Sequence, residues 1–154
     1  ILNGISDEFG LNEIKDKLSS SSSFFMLSNN QTTKSKAQLI DSVTIGLNKE
    51  APKDLIQEFL KSHNLMEKNI DLVLSSSYGT IDAKAINSLF TTEVIAIESY
   101  SGYHLTTAAF GMHMAAEILN QNSYQTKSNI KNILIYNTLN NTNIGLTLLQ
   151  SLEA

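Results

Sequence analysis

Short apolar runs separated by polar stretches organise most of this chain. Phe24-Phe25-Met26-Leu27 predicts a buried strand, because four consecutive apolar residues suit an element covered on both faces. After a polar turn over 29–36, the β-branched residues of 37–45 predict a second strand, and the two are expected to pair as a hairpin. Pro52 sits at a first helical turn, and Leu55, Ile56, Phe59 and Leu60 share one face of a helix that ends near Asn64. Residues 70–74 read as a strand and 75–80 as the loop after it. Asp82 is placed to cap a helix over 83–90, and 94–97 is the next strand. A helix begins at His104 or Thr106 and runs to about Asn120. A polar loop over 122–129 leads to strands at 133–136 and 144–149, joined by a tight polar connection. At the start, 1–4 read as a strand end, 11–18 as a short helix and 19–23 as a flexible serine loop.

Continuous apolar strands alternating with helices predict an α/β fold, a mixed sheet with helices on its faces. The 154 residues suffice for one domain with a sizeable core. Hydrophobic residues at 42% and charged ones at 17% match a folded soluble protein, and no run reaches the roughly 18–20 apolar residues of a membrane span, so no membrane partner is expected. The first residues lack an initiator Met and the basic region of a signal peptide. They read as the inside of a strand, so the natural protein is expected to begin farther upstream.

Two absences narrow the chemistry. The sequence has no cysteine, which excludes disulfides, cysteine zinc sites and a thiol nucleophile from these residues and fits a cytoplasmic location. The net charge is −4 and every one of the eleven basic residues is lysine. Without arginine, the usual source of bidentate contacts to phosphate and guanine, no nucleic-acid partner is expected.

Candidate chemistry concentrates in Ser99–Ala116. The segment begins at the end of the strand at 94–97 and passes through Gly102, and His104 stands at the mouth of a helix rich in alanine, glycine and methionine. The small residues Ala108, Ala109, Gly111, Ala115 and Ala116 let such a helix pack closely on its neighbours. His104 reads either as a residue that caps or packs at the helix start or as an imidazole held in a site. His63 and His113 read as packing or surface residues, and Met112 and Met114 as fill. His104 and His113 are too far apart in sequence for paired zinc ligands on one helix face. No phosphate-loop or dinucleotide fingerprint occurs. No metal and no cofactor are expected.

An ordered series of stretches resembles the second half of a β-ketoacyl-[acyl carrier protein] synthase, of the thiolase superfamily. Ile1-Leu-Asn-Gly-Ile-Ser-Asp-Glu resembles the strand and turn after the nucleophile helix, and Phe24–Leu27 with 37–43 resembles the hairpin that opens the second half. Residues 70–80 resemble the strand and loop carrying His-Gly-Thr-Gly-Thr, and 102–111 resemble Gly-His-x-x-x-Ala-Ala-Gly. Residues 137–149 resemble the closing Asn-Ser-Phe-Gly-Phe-Gly-Gly-x-Asn strand pair. The resemblance implies a five-layer αβαβα architecture of two similar halves, with 1–18 ending the N-terminal half and 19–154 forming the C-terminal thiolase-like half. It also implies a dimer, an acyl carrier protein as partner, and condensation by a cysteine and two histidines.

The chain departs from that pattern in several places. The cysteine position would lie upstream of Ile1. The first histidine is lost at Ser76, and the motif's lysine is replaced by Glu98 or Ser99, depending on the alignment. The glycine-rich closing segment is shortened at Asn140–Asn143. Aligned on Ala108-Ala109, His104 matches the second histidine; aligned on Gly102, Tyr103 takes its place. The expectation is a divergent ketosynthase-like protein of fatty-acid, polyketide or aryl-polyene biosynthesis, lacking a full catalytic set and acting as a chain-length-factor-like partner of a ketosynthase subunit. The alternatives are an active condensing enzyme, an acyltransferase that retains His104 with its cysteine upstream, and a non-catalytic interaction protein that kept the fold.

Overall fold

The computed structural model describes residues 22–46, 51–78, 86–102, 106–139 and 143–152. Five strands form one sheet in the order β1-β7-β6-β2-β3: β1 (Gln38–Gly46), β2 (Leu72–Tyr78), β3 (Val94–Ala96), β6 (Asn132–Leu139) and β7 (Asn143–Gln150). β2 lies parallel to β3 and β6, whereas β7 runs antiparallel to both β6 and β1. The sheet is therefore mixed, as expected. A second, two-stranded ribbon joins β4 (Ser123–Tyr124) to β5 (Lys127–Ser128).

The two faces of the sheet bury separate cores. Alternation along the strands sends Val73, Leu134, Tyr136, Leu146 and Leu148 to one face, under helix α1 (Pro52–Ser62). α1 presents Leu55, Ile56, Phe59 and Leu60 to this core, the four residues its helical spacing marks. Its end is fastened to the edge strand: His63 Nε2 lies 3.0 Å from Asp41 Oδ2, and the His63 ring meets Phe59 edge-on at 5.1 Å. Leu72, Leu74, Ile133, Ile135 and Leu149 face the other way, under helix α3 (Thr107–Gln121). Gly111 permits the close approach of α3. A Cβ there would lie 2.6 Å from Ile97 Cδ1 and 3.5 Å from Ile135 Cγ2.

Three details differ from the reading of the sequence. Residues 22–28 carry no regular structure, and Phe24 and Met26 are 92% and 98% exposed. The expected hairpin of 24–27 with β1 does not form: β1 is an edge strand whose partner in the sheet is β7. An apolar run reports that a segment needs cover but not which segment supplies it. Secondly, β2 does not stop at Leu74. It continues through the serines to Tyr78, held in register with β6 from Leu72↔Ile133 to Tyr78↔Leu139. Full-length pairing overrides the weak strand preference of serine.

Thirdly, the expected loop over 122–129 contains the β4–β5 ribbon. Asn122, Gln125 and Asn129 all take positive φ, and Asn129 N–H donates to Asn122 O. Of the expected helix over 83–90, residues 86–89 are helical; 81–85, with Asp82, lie outside the described residues. The elements expected at 1–4 and 11–18 and most of the serine run also lie outside them. Among the described residues no helix is long and apolar enough to cross a membrane.

One surface contact gives α3 a pH-dependent tie. Lys36 Nζ donates to Glu117 Oε1, and this bond, with the charges of Lys36 and His113, holds the Glu117 carboxyl below its ordinary value. A lowered carboxyl stabilises the fold at neutral pH and loses that contribution as the pH falls below 4.5 toward the folded-state value. Both side chains are partly exposed, so screening limits the effect to about 0.5 kcal/mol. Glu117→Gln should reduce by that amount the loss of unfolding free energy between about pH 7 and pH 3, measured by urea titration.

Candidate functional site

In open sheets with parallel strands, ligands bind outside the carboxyl ends of those strands. Here that edge is formed by the ends of β2, β3 and β6, and it gathers two of the departures noted in the sequence. Ser76 belongs to β2 two residues beyond Leu74, so it faces α3, and it is 97% buried because its relative exposure is 3%. β3 ends at Ala96 and leads directly into a single helical turn, α2 (Glu98–Ser101). The Ile97 N–H donates to Ser75 O and so fixes the start of this turn against β2. Glu98 is thereby brought to Ser76, whose Oγ donates to Glu98 Oε1 at 2.7 Å. Of the two residues weighed for the lysine position, Glu98 is the one bonded to Ser76; Ser99 is exposed.

Gly102 ends the turn. Its N–H donates to Glu98 O at 2.9 Å, and it adopts φ 68°, ψ −174°, a backbone region open in practice to glycine alone. The conformation explains why a glycine stands between the strand and the following helix. Residues 103–105 lie outside the described residues, so His104 and its rival Tyr103 stay as expectations. His113 lies on α3 as an exposed residue, and Met112 and Met114 pack partly against the α3-side core.

Reading the sequence missed two neighbours in this site. The strand registers place Asn137 of β6 beside Ser76 and Gly145 of β7 beside Asn137, in one row across the sheet. The Asn137 side chain lies over Gly145: a Cβ built on that glycine would meet Asn137 Oδ1 at 2.1 Å and Cγ at 2.9 Å. Thr138, on the opposite face, closes the β6–β7 hairpin by donating to Asn143 O at 2.8 Å. A glycine inside the apolar strand Ile144-Gly-Leu was the signal available for this close approach.

The chemistry of the row is that of neutral hydrogen-bonding groups beside one carboxylate. Ser76 offers a hydroxyl already directed at that carboxylate, and Asn137 offers an amide. Among the described residues no lysine pairs with Glu98, and no group of His, Cys, Asp and Glu converges to hold a metal ion.

No protein-family model and no curated protein sequence matches this chain. Solved structures do resemble it. One is a type II polyketide synthase acyl-carrier protein in complex with its ketosynthase bound to the hexaketide (AntDE:AntF). It has a TM-score of 0.57 and 16% identity, over 75% of this chain and 33% of that one. The PfaC keto synthase–chain length factor has a TM-score of 0.59 and 12% identity, over 80% of this chain and 14% of that one. Ketosynthase twelve from the bacillaene polyketide synthase of Bacillus amyloliquefaciens has a TM-score of 0.56 and 13% identity, over 77% and 31%. This chain thus spans a third or less of the length of each. It shares with them an α/β, thiolase-like fold, a mixed sheet with helices on its faces.

Proposed function

We propose that this chain is the C-terminal half of a divergent ketosynthase-like protein that does not itself condense acyl groups and serves as a chain-length-factor-like partner of an active ketosynthase. The observation that carries this reading is the Ser76–Glu98 hydrogen bond. Condensation gathers negative charge on a thioester oxygen, and the site must answer it with donors or cations. At this place the chain puts a serine, which lacks an imidazole's acidity, and a carboxylate. Like charges about 4 Å apart at an effective dielectric near 20 repel by about 4 kcal/mol, enough to slow a step about a thousandfold.

The neighbours' descriptions support the rest of the reading. One is a ketosynthase seen with its acyl carrier protein and another carries a chain length factor. An acyl carrier protein and a ketosynthase subunit are the partners proposed here, in a cytoplasmic homo- or heterodimer of fatty-acid, polyketide or aryl-polyene synthesis. In the five-layer arrangement α3 would lie between two sheets. Its composition supports that place: Ala108, Ala109, Phe110, Met112, Met114 and Ala116 remain only half-buried against the single sheet present.

The test uses the full-length protein with acyl- and malonyl-loaded carrier protein, alone and mixed with a ketosynthase subunit. The expected result is no condensation alone and an altered product length in the mixture. Condensation by the protein alone that disappears in His104→Ala would overturn the reading in favour of an active enzyme.

A further inference from the structure

Resting on the ketosynthase-like reading above, we infer that Glu98 sets the specificity of this site: it rejects acyl groups that carry a free carboxylate and admits uncharged ones. The inference starts from position. Ser76, Asn137 and the first residue of α2 meet at the carboxyl ends of the parallel strands, where this class of sheet receives ligands. The Glu98 carboxylate is held there. One oxygen accepts from the buried Ser76 hydroxyl, and the turn that carries it is fixed at both ends by the Ile97–Ser75 and Gly102–Glu98 backbone bonds.

Charge decides the selectivity. The Glu98 side chain is half-buried, so bulk water screens it less than a surface carboxylate, and no lysine among the described residues neutralises it. A second carboxylate entering the site meets a fixed negative charge. An uncharged acyl group of the same size meets no such repulsion from Glu98, and the neutral Asn137 amide and Ser76 hydroxyl stand beside it. Discrimination by a built-in repulsion needs no special contact to the accepted ligand.

The test is equilibrium binding to the full-length protein, by calorimetry, of two hydrolysis-resistant probes: malonyl-pantetheine in its amide form and the methyl ester of that compound. They differ by one charge and little in size. The wild-type protein should prefer the ester by about tenfold or more, and 0.5 M salt should narrow the preference. Glu98→Gln should bring the two affinities within about twofold by strengthening malonyl binding. Ser76→Ala, which keeps the charge, should keep the preference. Equal binding by the wild-type protein, or a preference that survives in Glu98→Gln, overturns the inference and leaves acyl binding standing. If Glu98→Gln fails to fold, a wild-type preference that does not respond to salt overturns it equally. Binding of neither probe overturns the acyl-thioester reading itself.

Discussion

Tyr136→Ala should destabilise this fold by about 3–5 kcal/mol, the loss typical of removing a buried aromatic ring. Tyr136 sits in β6, in register with Ser75 of β2 and Leu146 of β7, and has no exposed surface. Its ring fills the α1-side core among Val73, Leu134 and Leu148. Removing it opens a void in the middle of three strands, where backbone pairing on both sides prevents collapse. For a chain of this length the loss corresponds to a fall in Tm of about 6–20 °C. Tyr136→Phe keeps the ring and removes only the hydroxyl, so about 1 kcal/mol is expected. A thermal unfolding series of the three proteins checks both values. A small change for Tyr136→Ala would contradict the placement of β6 at the centre of the sheet.

Gly145→Ala is expected to cost about 1–3 kcal/mol although it adds a single methyl group. The new Cβ would collide with the Asn137 amide, whose Oδ1 and Cγ both stand under 3.0 Å from it. Asn137 has few places to go, because its strand is paired on both sides. The cost should fall mainly on that one contact. In a double-mutant cycle, Gly145→Ala in an Asn137→Ala background should then be milder by about 1 kcal/mol or more. Strict additivity of the two changes would show that the glycine is needed for some reason other than the amide. The same pair bears on the site, since Asn137 is the residue beside Ser76.

Local elements were legible where one covering partner sufficed to define them. The Leu55, Ile56, Phe59 and Leu60 face of α1 is the face that is buried, and α3 runs from Thr107 to Gln121, one residue beyond its expected end. The β6–β7 pair was legible, but the partner of β1 and the end of β2 were not. Nothing in Phe24–Leu27 reveals that β1 is claimed by β7, and nothing in three serines reveals that β6 extends β2 through them. That second point hid the site. With β2 ended at Leu74, Ser76 falls in a loop without a defined direction. With β2 running to Tyr78, the same residue points at α3 and at Glu98. The two substitutions were each visible as departures from a family pattern; their bond to one another required the sheet.

The pairing of β1 with β7 also bears on how the chain is made. Ser42 is hydrogen-bonded to Thr147, a residue 105 positions later. At a synthesis rate of about 5–20 residues per second, β1 leaves the ribosome roughly 5–20 s before its partner exists. During that interval Ile40, Val43 and Ile45, which later pack against the α1-side core, have no sheet to join. The strand beside it in the finished sheet is the last of the described strands, so β1 cannot pair before residues 143–150 have been made.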